Sequence, residues 1–215
     1  MKQGLTMFYS YRLLLTVVIH DQADSIAEKV LSYERSLALA NLPNIPFHSE
    51  PLLNGRAAYR SLGIEQRKKL LYSFNIFVQR LPIRYRTFAC LRRERASEEA
   101  LESYLKRGLQ DMLLGDLAFF QSFDRVTIYY DNGQDMVKRA LHESVASSLS
   151  KQAVSQKRTT MTEYRLAQVA DYLCTIELAA LKYAAKEEGA TYDKFFGGVG
   201  AFKKNWLKQA RRKLL

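Results

Sequence analysis

The feature that most constrains this chain is the segment Tyr164 to Ala185, which is apolar almost all the way round a helix. A helix without a polar face is a buried helix, so the rest of the fold has to be built around it. Its polar exceptions, Gln168, Asp171 and Thr175, share one narrow stripe because positions three and four apart are neighbours on a helix surface. An ionised carboxylate is costly to bury unless a cation or strong donors meet it. Asp171 therefore requires a metal, several donors, or a salt bridge to one of the chain's basic side chains.

Strand-like and helix-like segments alternate along the sequence, which argues for an α/β architecture. Residues 12–20 (RLLLTVVIH) are a continuous β-rich run of the kind covered on both faces. Residues 83–91, 125–131 and 152–158 read as further strands. Helices are expected from Asp24 or Ser25 to the prolines Pro43 and Pro46, from Ile64 to Arg80, from Ser97 to Phe120, from Asp135 to Leu149, and from Phe202 to Leu215. The length of 215 residues suits one large domain with an appendage. Gly197, Gly198 and Gly200 suggest the division: residues 1–196 as the α/β domain, 197–215 as a connector and basic terminal helix.

The net charge of +11, from 33 Lys and Arg against 22 Asp and Glu, implies attraction to nucleic acid, an anionic membrane or acidic proteins, although solubility alone would also account for it. The longest apolar run, Leu13 to Ile19, falls short of the roughly 20 residues that cross a bilayer, and no small-residue cleavage site follows it. Cys90 and Cys174 lie in apolar runs and fit no zinc spacing. They read as reduced core thiols, and the chain as cytoplasmic.

Three constellations could carry chemistry. Asp131 ends the strand Val126-Thr127-Ile128-Tyr129-Tyr130, and sites in open α/β sheets form at the carboxyl ends of strands. The same Asp131-Asn132-Gly133 is also an ordinary turn former. Together Asp131 and Asp171 suit magnesium or manganese, hard cations that take oxygen ligands. Such an ion can activate water in phosphodiester hydrolysis. Glu50 in a polar loop is the candidate third ligand, and His48 beside it a candidate proton relay. The loop reads equally well as plain surface. The third constellation is basic. Lys203, Lys204, Lys208, Arg211 and Arg212 stand on the terminal helix, and Arg92 and Arg93 just past a strand. Both groups could neutralise phosphates.

The chain also resembles a known family. The resemblance is carried by Val17-Val18-Ile19-His20-Asp21-Gln22, by Phe47-His48-Ser49-Glu50-Pro51-Leu52, and by Phe123 to Gln134. It continues in Glu163 to Thr175 and in Phe195-Phe196-Gly197 with Phe202-Lys203-Lys204-Asn205-Trp206-Leu207-Lys208. These motifs resemble the bacterial family called domain of unknown function 3800, from about Arg12 onward. The resemblance implies a ribonuclease-H-like mixed sheet flanked by helices and a metal-dependent nuclease, in some members within mobile-element or defence contexts. It places the family's strand-end aspartate on Asp131 and its helix aspartate on Asp171, and it supports His48. Members usually open on a strand ending in Asp-Glu-Ser-Gly, whereas here no acidic residue precedes Asp21. The first strand is thus expected to be shortened or altered, or its ligand lost. Two readings follow: a magnesium- or manganese-dependent nuclease, and a non-catalytic nucleic-acid-binding or assembly module.

Overall fold

The structure, a computed structural model, describes residues 6–9, 12–91, 97–130, 135–149, 154–158 and 164–215. The chain is α/β and divides into two compact units, residues 1–15 with 88–167 and residues 16–87 with 168–215. Strands β2 (Arg12–His20) and β3 (Ile83–Leu91) each run from one unit into the other.

In the first unit a short strand, β1 (Thr6–Tyr9), pairs antiparallel with the start of β2, Thr6 opposite Leu15 and Tyr9 opposite Arg12. It belongs to a three-stranded sheet of order β1-β2-β3. A separate two-stranded parallel sheet joins β4 (Val126–Tyr130) to β5 (Val154–Arg158), Val126 opposite Val154. The resemblance implies one mixed sheet; the described strands form these two small ones. Helices α4 (Glu98–Gly115) and α6 (Asp135–Ser148) pack together, and Leu101, Leu105 and Leu109 of the one and Val137, Ala140 and Leu141 of the other are buried. Ser97 caps α4 by accepting from Ala100 N at 3.2 Å. Gly108 lets α4 approach β3 closely, since a Cβ there would lie 2.8 Å from Phe88 Cδ1. The helix expected to reach Phe120 instead breaks at Asp116, which leaves helical geometry at φ −120°, ψ 34°, and α5 (Leu117–Gln121) follows. A glycine before a short polar residue is a weak place to continue a helix.

The second unit is built on aromatic packing. Helix α1 (Ala27–Leu39) supplies Tyr33, and α3 (Ile64–Arg80) supplies Phe74 and Phe77. Helix α7 (Arg165–Ala185), which starts in the first unit, contributes Tyr172 here. Phe47 stacks on Phe74 with ring centroids 3.9 Å apart and planes within 8°. Tyr33 and Tyr172 meet Phe74 edge-on. The Tyr172 hydroxyl donates to Asn75 Oδ1 at 2.8 Å, and burial pushes its pKa well above the phenol range. Between α1 and α3 lies the short helix α2 (Ser49–Asn54).

Residues 197–215, which the sequence sets apart, belong to this second unit. Helix α8 (Ala190–Phe196) ends at Gly197, and α9 (Val199–Phe202) continues through a π-helical stretch, Lys203–Leu207, into α10 (Lys208–Arg211). Tyr183 stacks on Phe202, and Phe196 meets Trp206 edge-on. These rings are buried, so the glycines mark a change of direction inside a packed body. The last residues pair with β3: Tyr85 N donates to Lys213 O at 2.9 Å and Leu215 N to Tyr85 O at 3.0 Å. Lys213 Nζ donates to Leu81 O at 2.6 Å, and burial holds its ammonium below the usual lysine range. Cys90 and Cys174 are both buried. Among the described residues no helix is long and apolar enough to cross a membrane.

Phe74→Ala removes the ring on which Phe47, Tyr33 and Tyr172 converge. It should cost about 3–5 kcal/mol, read as a lowered urea midpoint at unchanged slope.

Candidate functional site

The buried stripe on α7 meets one loop. Gln168, Asp171 and Thr175 are 1%, 5% and 1% exposed. Across 122 positions of sequence, Ser49 N donates to Asp171 Oδ2 at 2.7 Å. Phe47 N donates to Gln168 Oε1 at 3.0 Å. His48 lies between these two donors. Its Nδ1 is 3.3 Å from Asp171 Oδ1, within ion-pair reach. The His48 side chain remains 23% exposed.

Local sequence explains why the loop takes this path. His48 has extended geometry and precedes the first turn of α2, whose leading N–H groups have no partner within the helix. One of them, from Ser49, is the donor that Asp171 takes. Tyr59 props the loop from the other side. Its hydroxyl accepts from His48 N at 2.9 Å and donates to Pro46 O at 3.1 Å. Burial raises the Tyr59 pKa well above the phenol range, with the His48 N–H opposing, so the hydroxyl keeps its proton and can act in both directions.

The arrangement brings together two of the residues singled out in the sequence, His48 and Asp171. A carboxylate beside Nδ1 favours the proton on that nitrogen and leaves Nε2 as the basic one. Glu50 is turned to its own helix, where its Oε1 accepts from Asn54 Nδ2 at 2.8 Å and pairs with Arg56 Nη1 at 3.2 Å. Asp131, Arg92 and Arg93 lie outside the described residues. Lys203, Lys204, Lys208 and Arg212 are exposed. Arg211 has an internal role: Nη2 and Nε meet Glu177 at 2.8 and 3.2 Å, and the Tyr85 hydroxyl donates to the same carboxylate at 2.7 Å.

A divalent ion is a separate matter. A carboxylate offers about four lone-pair sites, and at Asp171 one takes Ser49 N–H while another faces His48. A hard cation prefers several oxygen ligands and retains waters, yet Asp171 is almost sealed from solvent at 5% exposure. Among the described residues no three His, Cys, Asp or Glu side chains gather as a metal shell. One carboxylate and one imidazole do not by themselves make up a magnesium site.

Fold and site together define an α/β protein in which a partly exposed loop histidine stands beside a buried helix aspartate. Compared with protein-family models, curated proteins and solved structures, the chain matches none. The likeness to domain of unknown function 3800 therefore rests on the sequence motifs alone.

The sequence pattern pointed to Asp171 but not to Ser49, whose N–H it accepts, nor to Tyr59, which accepts the His48 N–H, because a main-chain N–H and a phenol that supports one leave no periodic signal. Tyr59→Phe should strand the His48 N–H, at a cost of about 1–3 kcal/mol. Urea unfolding checks this, and an unchanged midpoint would remove Tyr59 from the loop's support.

Proposed function

We propose that this chain acts in the cytoplasm on nucleic acid as a phosphodiesterase of ribonuclease-H-like kind, with His48 and Asp171 at its chemical centre. The observation that carries the reading is their meeting: a partly exposed imidazole held against a buried carboxylate. The motif resemblance adds Asp131, and the net charge of +11 supplies attraction to a polyanion. His48 Nε2 takes a proton from the attacking hydroxyl or water, and Asp171 stabilises the imidazolium that forms. Exposed Lys204, Lys208 and Arg212 recur every fourth residue and, with Lys203, hold backbone phosphates. The metal-dependent form of this reading rests on the motif resemblance: Asp131 and Asp171 would be the ligands and magnesium or manganese would supply Lewis acidity, with Glu50, whose carboxylate meets Asn54 and Arg56, as the third acid.

One observation favours a second reading, a non-catalytic nucleic-acid-binding or assembly module. Asp171 uses Oδ2 on a main-chain N–H and is almost sealed, which is how a purely structural fastening would look.

Cleavage of single- and double-stranded DNA and RNA, with magnesium, with manganese and with chelator, separates the two. His48→Ala should lower kcat by about 10²–10⁴-fold, and Asp171→Asn should lower it as well. Cleavage untouched by His48→Ala, Asp171→Asn and Asp131→Asn would end the first reading. Salt-sensitive binding without turnover would support the second.

On either reading the terminal stripe predicts its own result. Replacing Lys204, Lys208 and Arg212 by Ala should flatten the salt dependence of nucleic-acid affinity by about 0.7–0.9 in log–log slope per lost phosphate contact. Filter binding across a salt series measures it.

A further inference from the structure

We infer that Arg67 is a positioning residue for the His48–Asp171 pair, acting through α2. Helix α2 has six residues, Ser49–Asn54, too few to be stable on its own hydrogen bonds. It has to be held at both ends. At its start, Ser49 N donates to Asp171 Oδ2 at 2.7 Å. At its end, Arg67 Nη1 donates to Leu52 O at 2.8 Å and to Leu53 O at 3.0 Å, carbonyls in the last turn of the helix. A cation at a helix C-terminus also suits the local dipole.

Two neighbours, Gly55 and Phe195, and its own helix keep the guanidinium there. Gly55 ends α2 at φ +63°, a left-handed geometry that L side chains resist, and a Cβ at that position would stand 3.2 Å from Arg67 Cζ. The Phe195 ring lies 5.4 Å from Cζ, within cation–π range. Arg67 itself rises from the first turns of α3, whose Leu70, Leu71 and Phe74 are buried. The rigid helix thus fixes the arginine, the arginine fixes the end of α2, and a helix this short cannot move one end alone. Its other end carries His48 as cap and Ser49 as donor. Arg67 touches neither member of the pair, so its effect is on geometry.

The inference rests on the proposed function only for its catalytic consequence; the placement of α2 can be read without substrate. Amide hydrogen exchange by NMR on the full chain compares Ser49 with Leu173 of α7 in Arg67→Ala, Arg67→Lys and Gly55→Ala. Arg67→Ala and Gly55→Ala should speed exchange at Ser49 by about tenfold with Leu173 unchanged, and Arg67→Lys should restore part of the protection. Gly55→Ala keeps every polar group and serves if Arg67→Ala does not fold. Exchange at Ser49 that is unchanged, or that rises only in step with Leu173, would overturn the inference. In an active enzyme the same variants should lower kcat and leave KM alone; a KM effect alone also counts against it. Loosening of Ser49 in a chain that shows no cleavage would uphold the positioning role while the phosphodiesterase reading fails.

Discussion

The second unit depends on one electrostatic requirement. Helix α7, with Val169, Ala170, Tyr172 and Leu173 all buried, buries the Asp171 carboxylate as well, and a charge there needs donors. Ser49 N–H supplies one and His48 stands beside the other oxygen. Gln168, one turn earlier, takes Phe47 N–H in the same way. The stripe therefore acts as a template for a stretch of chain that has little regular structure of its own. Once residues 46–49 lie along it, Phe47 reaches its stack on Phe74, and the polar requirement and the aromatic core are met by the same loop.

A similar logic repeats at the other acid of α7. Glu177 accepts from the Tyr85 hydroxyl and from Arg211, joining β3 and the terminal helix to the central one. Burial and the Glu177 charge raise the Tyr85 pKa far above the phenol range, so the donor stays protonated. The terminal basic residues thus divide by function. Arg211, itself about half exposed, is engaged by Glu177 and Lys213 by Leu81 O, whereas Lys203, Lys204, Lys208 and Arg212 are exposed. Composition alone shows the excess of charge but cannot make that division.

What could be read from the sequence was set by periodicity. The buried nature of α7 and its polar stripe follow from side-chain spacing, and α3, α6, β4 and β5 lie close to their expected positions. The partners of the stripe were illegible because main-chain donors carry no residue signature. The break at Asp116 was hidden because Leu113, Leu117 and Phe120 continue a helical rhythm across it. Strand β1 is four residues long, too short for alternation to register. Gly197 looked like a linker. Its φ is +76° and its carbonyl accepts from the Tyr183 hydroxyl at 2.6 Å, so it is a fixed corner. A turn held by a distant phenol and a free connector look alike in one dimension.

The pairing of the last residues with Tyr85 bears on how the molecule behaves in a crowded solution. An open strand edge is a template on which foreign chains can assemble. Lys213 O and Leu215 N occupy the ladder positions at Tyr85, and Arg86 Nη1 adds a bond to Leu215 O at 3.0 Å. The segment Lys213–Leu215 thereby shields the sheet margin at Tyr85, and displacing it would bare that stretch of strand edge to other chains.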